Sequence, residues 1–282
     1  MLALLVACTG EVVSNPPAPK ALFVGVDGLR GDGLGGSDTP NFDTLVAHGA
    51  FTATASTQLE AQTVSGPGWT SMLTGVDADK HGIVENGGWE DIDRAWPTVI
   101  ARAGELGLGT ATAVHWLPIH FSIIEADAAD ETVAGLDDEI TEGMAEFLRD
   151  EADIDLFFIA LDDVDGAGHS SGFSIDNPEY VAAIETVDAQ VGQLLDAINA
   201  REDRDQERWI VVMTSDHGGA GTGHGALDED NRTIPLLVSG DGIDPQELPA
   251  EGVSHMDAHP TLLRHLGFQA EAAWDLDGVA RP

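Results

Sequence analysis

Cationic side chains are scarce in this chain. Its 282 residues include 12 Lys and Arg against 50 Asp and Glu, which gives a formal net charge of −38, and Lys20 and Lys80 are its only lysines. Such a chain repels the backbone of nucleic acids and anionic lipid surfaces, so we expect neither as a partner. We interpret the acidic surface as adaptation to salt, which screens self-repulsion. A calcium-buffering or interaction surface is the alternative.

Cysteine is almost absent, so an internal disulfide is excluded. The single cysteine, Cys8, ends the apolar run "MLALLVAC". This run resembles the lipobox of bacterial lipoproteins, in which the cysteine is lipidated and becomes the new N-terminus. The resemblance implies that residues 1–20 are a signal and tether of an exported, envelope-anchored protein, although a basic segment before the run is missing. A plain cleaved signal is the alternative.

Long apolar segments are also lacking, because no later stretch reaches the 18 or so apolar residues that a membrane helix requires. The apolar runs that do occur are short and continuous, as in strands buried on both faces. They cover residues 21–26, 110–114, 155–161, 209–213 and 234–238. Helical patterns separate them at residues 39–49, 96–107, 138–150, 177–200 and 256–267. This alternation predicts one α/β domain over residues 21–282, with a mainly parallel sheet and helices on both faces.

Metal-ligand side chains follow three of the predicted strands. They are Asp27, Asp165, His169, Asp216, His217 and His224. Because the carboxyl ends of parallel strands meet at one edge of a sheet, we expect these side chains to converge, helped by the glycines around them. Three carboxylates and three imidazoles are too many for one tetrahedral zinc and suit two divalent ions, zinc above all. A calcium site would use oxygen ligands nearly throughout.

A serine at the start of a predicted helix is the candidate nucleophile. Ser65 precedes Gly66-Pro67-Gly68 and the helical stretch "WTSML", so it lies at or near an N-cap whose N–H groups favour an anion. Coordination to a metal would lower the pKa of its hydroxyl. Thr63 and Thr70 are weaker alternatives. Asn86, in a turn-rich segment, is a candidate donor to a phosphoryl oxygen.

The motifs "VDGLR", "TVSGPGWTSMLTG", "DKHGIVENG", "DVDGAGH" and "TSDHG…GHG", in this order, resemble the alkaline phosphatase superfamily. The type I phosphodiesterase/nucleotide pyrophosphatase branch is the most similar. The resemblance implies one metal held by Asp165, His169 and His224. It implies a second metal held by Asp27, Asp216 and His217, with Ser65 as ligand and nucleophile and Asn86 beside it. His255 and His259 are alternatives for the last metal histidine.

The resemblance implies hydrolysis of a small-molecule phosphate ester through a phosphoserine. Past Asn86 only Arg94 and Arg102 lie within a short reach, and Arg30, close to Asp27, is the other candidate cation, which favours a phosphodiester or nucleotide-type substrate over a monoester. True sulfatase activity ranks lower, since Trp69 stands where the sulfatase signature has arginine. A phosphotransferase and a non-catalytic, metal-binding lipoprotein are the remaining alternatives. The sequence carries no signal for an oligomeric state.

The other aromatic and histidine residues are expected to be structural. Four tryptophans are predicted to lie in the core, namely Trp69, Trp89, Trp96 and Trp116. Of these, Trp89 and Trp116 could instead line a pocket. Three histidines are expected to pack around the site without binding metal, namely His81, His115 and His120.

Overall fold

The computed structural model of the protein describes residues 16–282. In that range the strands are β1 (Ala18–Val26), β2 (Gly49–Ser56), β3 (Gly109–Val114), β4 (Glu131–Ala134), β5 (Ile154–Leu161), β6 (Glu207–Thr214), β7 (Thr233–Gly240) and β8 (Gln246–Glu247). The α-helices are α1 (Pro40–Ala47), α2 (Ser65–Thr74), α3 (Ala78–His81), α4 (Val99–Glu105), α5 (Asp137–Asp150), α6 (Asp163–Ser171), α7 (Pro178–Asn199), α8 (Glu229–Arg232) and α9 (Ala258–His265).

The strands form one sheet in the order β4-β3-β5-β1-β6-β7-β2-β8. The five strands from β4 to β6 are parallel to one another, and β7 runs antiparallel to both β6 and β2. The α/β prediction with a mainly parallel sheet is therefore confirmed. The five predicted strands correspond to β1, β3, β5, β6 and β7.

Helices cover both faces of this sheet, as predicted. Successive residues of a strand point to opposite faces. Phe23 of β1 thus belongs to a core cluster that includes Trp69 of α2 and Leu262 of α9. Its neighbour Leu22 belongs to a second cluster that includes Tyr180 of α7. Because both faces are buried, the central strands are apolar without alternation, which is the pattern that the sequence shows.

The first strand begins inside the segment expected to be a tether. Residues 18–20 pair with residues 207–209 of β6. Lys20 is buried, and its ammonium donates to the carbonyl oxygens of Ala152 and Ile154 and to the Asp155 carboxylate. These bonds explain why a lysine starts a buried strand. Cys8, the predicted lipidation site, lies outside the described residues. Among the described helices, none is long and apolar enough to cross a membrane.

Candidate metal centre and active site

The three central strands end flush at one edge of the sheet. In the pairing register, Val26 of β1 lies beside Leu161 of β5, and Gly25 lies beside Thr214 of β6. The residues that follow these strands therefore emerge side by side. The structure brings together all six predicted metal-ligand side chains at this edge, in two clusters.

The first cluster consists of Asp27, Asp216 and His217, which are all buried. His217 Nδ1 donates to the carbonyl oxygen of Gly218 at 2.8 Å, so its Nε2 presents a lone pair. That nitrogen lies 3.3 Å from Asp27 Oδ1 and 3.4 Å from Asp216 Oδ2, two buried oxygens without a hydrogen-bond partner among the described residues. Three converging, electron-rich atoms fit a cation, which would satisfy all of them.

The second cluster consists of Asp165, His169 and His224. Asp165 and His169 are one turn apart on α6, so both point from the same face of the helix. His169 Nε2 lies 3.3 Å from Asp165 Oδ2 and 3.0 Å from His224 Nε2. The Nδ1 atoms of the two histidines face the carbonyl oxygens of Thr222 and Thr63, and donating to these leaves both Nε2 lone pairs free. This donor set also fits a divalent ion such as zinc.

The two clusters adjoin each other. Ligand atoms of Asp165, His217 and His224 all lie within 4.8 Å of one another. The rings of His217 and His224 stack with their centroids 3.8 Å apart. The site is therefore one continuous patch of carboxylates and imidazoles, in which the two clusters are neighbours.

Burial has shifted the pKa values of these groups in opposite directions. Burial raises the pKa of Asp27 to about 6, although hydrogen bonds from Trp69 and others oppose the shift. Burial and the nearby Asp27 and Asp162 raise the pKa of Asp165 to about 9. Burial lowers the pKa of both His217 and His224 to about 3. Each shift favours the neutral form, and a bound cation would reverse the balance for the carboxylates.

Ser65 is the first residue of α2, one residue beyond the N-cap, which is Val64. Its Oγ lies 3.4 Å from His217 Nε2, so it faces the first cluster. Asn86 Oδ1 accepts a hydrogen bond from the backbone N–H of Gly66 at 2.6 Å. This bond places Asn86 at the same helix end and leaves its Nδ2 group as a donor. Ser65 and Asn86 are therefore neighbours, as the motifs suggested.

The side chains of the alternative candidates are not among the ligand atoms that converge in the two clusters, although the Thr63 carbonyl oxygen faces His224 Nδ1. Thr63 donates to the carbonyl oxygen of Ala226, and Thr70, inside α2, donates to that of Gly66. His255 and His259 are fully buried, and their Nδ1 atoms face the carbonyl oxygens of Ser215 and Leu73. The structure gives each of these side chains a local partner instead of a place among the candidate ligands.

Close packing at two glycines shapes the site. Gly28 has φ +69°, and a Cβ there would lie 2.9 Å from the Asp165 Cα. A Cβ at Gly68 of α2 would lie 2.7 Å from the Asp216 carbonyl oxygen. Both glycines therefore permit an approach between elements that carry candidate ligands.

One residue of the site escaped sequence reasoning. Trp69 was predicted to be a core residue and is fully buried, but its indole Nε1 also donates to Asp27 Oδ2 at 2.9 Å. No pattern in the sequence pairs the two residues, which are 42 positions apart. Trp89 and Trp116 are half-buried at the edge of the core and pack edge to face, with their ring centroids 5.8 Å apart.

The three arginines named as candidates for extra phosphate binding are engaged elsewhere. Arg30 pairs with Asp32 and Asp230. Arg94 donates to the carbonyl oxygens of residues 122 and 123 and pairs with Glu125. Arg102 pairs with Glu105 and lies over the Trp274 ring. None of the three contacts a cluster residue in the described range.

Comparison with known proteins places this arrangement in context. The model of the family "Type I phosphodiesterase / nucleotide pyrophosphatase" matches residues 21–235. The human ectonucleotide pyrophosphatase/phosphodiesterase family member 5 is 25% identical in an alignment of 234 positions that covers 72% of this chain and 46% of that protein. The chain thus spans about half the length of this relative.

Solved structures share the fold at low sequence identity. Murine ectonucleotide pyrophosphatase/phosphodiesterase 5, in an inactive form in complex with AMP, superposes with a TM-score of 0.71 at 16% identity, over 90% of this chain and 96% of that one. A 2-O GAG sulfatase also superposes with a TM-score of 0.71, at 17% identity, over 93% of this chain and 73% of that one.

Proposed function

The chain belongs to the type I phosphodiesterase/nucleotide pyrophosphatase family, and we propose that it hydrolyses phosphodiester or nucleotide-type esters at a two-metal centre. The observation that carries the proposal is the pair of adjoining clusters, in each of which carboxylate and imidazole ligand atoms converge, beside the Ser65 hydroxyl. The family is dependent on divalent metal ions, and the chemistry of both clusters fits such ions.

We assign one ion to Asp27, Asp216, His217 and the Ser65 hydroxyl, and the other to Asp165, His169 and His224. The mix of imidazole and carboxylate favours zinc. When bound, the two ions supply positive charge to the phosphoryl oxygens and lower the pKa of the serine hydroxyl. In a chain with a net charge of −38, a phosphate substrate needs this local positive charge.

The protein residues then act in two displacements. Ser65 Oγ loses its proton to solvent and attacks phosphorus, while the bond from phosphorus to the leaving oxygen breaks and that oxygen keeps the electron pair. Asn86, at the N-terminal end of α2, donates from Nδ2 to a phosphoryl oxygen as its charge grows. Water then attacks the phosphoserine, the bond from phosphorus to Oγ breaks, and the serine recovers a proton.

Preference for a diester is supported by the arginines. A monoester dianion carries more charge than a diester and benefits from added cations. Arg94 and Arg102 pair with Glu125 and Glu105, and Arg30 pairs with Asp32 and Asp230 while it donates to the Gly219 carbonyl oxygen, so the charges of all three are already paired. A monoesterase is therefore the second candidate. Its preference for a monoester over a diester would have to come from the metal ions alone.

We further propose that the protein is exported and held at the bacterial envelope by lipidation of Cys8. The apolar run that ends at Cys8 supports this location. Mass spectrometry of membrane-extracted protein would show the diacylated N-terminal cysteine, and Cys8→Ala would release the protein from the membrane fraction. An unmodified Cys8 in the wild type would contradict the assignment.

Hydrolysis assays test the proposed activity. The purified protein in high salt with zinc should cleave bis-p-nitrophenyl phosphate faster than p-nitrophenyl phosphate, with little action on p-nitrophenyl sulfate. Ser65→Ala should lower kcat by at least about 10³-fold, because it removes the nucleophile, while Asp27, Asp216 and His217 still hold the ion. Ser170→Ala, a matched change on the exposed surface of α6, should leave turnover unchanged.

Two outcomes would redirect the assignment. Faster cleavage of the monoester would keep the nucleophile and favour the phosphatase alternative. Bound zinc without turnover of any ester, or turnover that survives Ser65→Ala, would contradict the proposed function and favour a metal-binding protein.

A further inference from the structure

A buried carboxylate on α5 caps the helix that carries two candidate ligands. Asp137, the first residue of α5, has a side chain with 0% exposure. Its carboxylate accepts hydrogen bonds from the backbone N–H of Asp162, at 3.0 Å to each oxygen, and of Asp163 at 2.9 Å. Helix α6 begins at Asp163, and the side chain of its own N-cap residue, Asp162, makes no capping bond. Asp137 therefore does the capping from a different element.

A histidine from a third element holds this carboxylate. His115 directly follows β3, and its backbone N–H donates to Ala160 of β5. Its Nδ1 lies 2.8 Å from Asp137 Oδ1 and donates to it. One carboxylate thus ties the end of β3, the start of α5 and the start of α6 together. Both of its oxygens are used, one by His115 and Asp162 and the other by Asp162 and Asp163.

The helix that Asp137 caps has little stability of its own. Its sequence, DVDGAGHSS, has nine residues and includes Gly166 and Gly168, which disfavour helix. The first N–H groups of a helix have no partners inside the helix, and in a short helix they are a large share of the total, so an external cap has a large effect on where it begins. Val164, fully buried, is its main apolar anchor.

The position of α6 determines the geometry of one metal site only. Asp165 and His169 both project from α6, whereas Asp27, Asp216 and His217 follow β1 and β6. A shift or fraying of the first turn of α6 would move Asp165 directly. The ligands on the strands would not move with it, because their backbone is fixed by the sheet register.

We propose that Asp137, held by His115, is a positioning residue for the metal ion bound by Asp165, His169 and His224. This inference rests on the proposed two-metal function. Loss of the Asp137 carboxylate lowers the binding affinity for that ion, because it releases the N-terminus of α6. The affinity for the ion at Asp27, Asp216 and His217 is unchanged.

Metal titration of Asp137→Asn tests the proposal. An asparagine keeps the size of the side chain but turns one of its two acceptors into a donor. It therefore cannot accept hydrogen bonds both from His115 and from the N–H groups of Asp162 and Asp163. We expect Zn²⁺ competition against a chelating dye to show two ions in the wild type. In Asp137→Asn one of them should bind about 10- to 100-fold more weakly and the other within about threefold of its wild-type affinity, as for changes that orient metal ligands indirectly.

Three further variants make the result specific. Asp138→Asn removes the same charge from the next residue of α5, which is exposed, and should leave both affinities unchanged. In an Asp165→Ala background, where the ligand that the α6 cap positions is already lost, Asp137→Asn should have little further effect. His115→Gln should lower the affinity for the same ion by a smaller factor. This variant replaces Asp137→Asn in the test if Asp137→Asn does not fold.

The outcomes separate this proposal from the proposed function. An equal loss of affinity for both ions in Asp137→Asn would overturn the positioning role but not the two-metal centre. A selective loss of affinity in Asp138→Asn as well would do the same. Unchanged affinities in both Asp137→Asn and His115→Gln would do the same. A wild type that binds one ion or none would overturn the two-metal function itself, and the positioning role with it.

Discussion

The indole Nε1 of Trp69 donates a hydrogen bond to Asp27 Oδ2 at 2.9 Å, in the buried interior between α2 and β1. The same indole ring lies against Gly25, where an added Cβ would be only 2.4 Å from it. The bond occupies one carboxylate oxygen and directs the other toward His217 Nε2. A residue that packs as core thus also orients a candidate metal ligand.

Replacing Trp69 by Phe should therefore weaken metal binding more than it weakens the fold. Phenylalanine keeps an aromatic ring in the core but cannot donate to Asp27. We expect about a tenfold loss of affinity for one zinc ion, the range seen when a partner of a metal ligand is removed. Zinc competition titrations of the two proteins would measure the loss, with thermal unfolding of the metal-free proteins as a check on the fold.

Trp209→Phe is the matched control. The Trp209 indole also donates to a carboxylate, Glu207 Oε2 at 2.8 Å, but from the opposite end of the sheet. That variant should lose stability without losing zinc affinity. Equal zinc affinities in Trp69→Phe and the wild type would mean that the Trp69–Asp27 bond is structural only.

Gly68→Ala should push α2 away from the strand that carries Asp216. The new methyl group would lie 2.7 Å from the Asp216 carbonyl oxygen and 2.9 Å from its Cβ, atoms that cannot move freely. We expect a loss of about 1–3 kcal/mol in the free energy of unfolding, and a lower kcat because Ser65 is on the same helix. Urea unfolding and diester hydrolysis would measure both effects.

The matched control for this change is Gly166→Ala on α6. A Cβ there meets no atom within 4 Å, so alanine should be neutral or stabilise by up to about 1 kcal/mol. If Gly68→Ala were as stable and as active as Gly166→Ala, the close approach of α2 to Asp216 would not constrain the site.

His259 should make the protein less stable as the pH falls. Burial lowers its pKa to about 4, although the hydrogen bond to Leu73 opposes the shift. The ordinary pKa of histidine is about 6.5, so below that pH the unfolded chain gains a proton that the folded chain does not take up until about pH 4. The stability contribution of His259 is therefore present above pH 6.5 and is lost toward pH 4. Between pH 7 and 5 the loss is about 2 kcal/mol.

Urea unfolding of the wild type and His259→Gln at several pH values would isolate this term. The buried carboxylates have pKa shifts of the opposite sign, so the difference between the two proteins is the informative quantity. The stability difference should change by about 2 kcal/mol between pH 7 and 5. His48→Gln, the same change at an exposed histidine, should show no such trend. Parallel curves for His259→Gln and the wild type would contradict the prediction.

Removal of divalent metal should lower the melting temperature. Asp27, Asp165 and Asp216 are close to one another, and their mutual repulsion contributes to the raised pKa values of Asp165 and Asp216. An ion that binds only the folded chain stabilises it by about 4 kcal/mol at a free concentration a thousand times its Kd. Calorimetry with chelator and then with added zinc would measure the change. An identical melting temperature in both conditions would contradict metal binding at the clusters.

Much of the fold was predictable because its signals are local. The runs at residues 21–26, 155–161 and 209–213 are continuous and apolar, and such runs are typical of strands with both faces covered. The edge strands β4 and β8 have four and two residues, too few for a pattern. The strand β2 reads GAFTATAS, in which small residues and threonine weaken the apolar signal, and its antiparallel partner β7 follows it by more than 170 positions.

The sequence by itself determined that Asp27, Asp165 and Asp216 reach the candidate site, because parallel strands end at a common edge and each of these residues follows such a strand. Only the tertiary structure decided how those side chains are held. The bonds from Trp69 to Asp27 and from Asp137 to the start of α6 join residues that are far apart in the chain. Such pairs leave no periodic pattern, because they depend on which elements pack together, and that is settled only when the whole sheet is assembled.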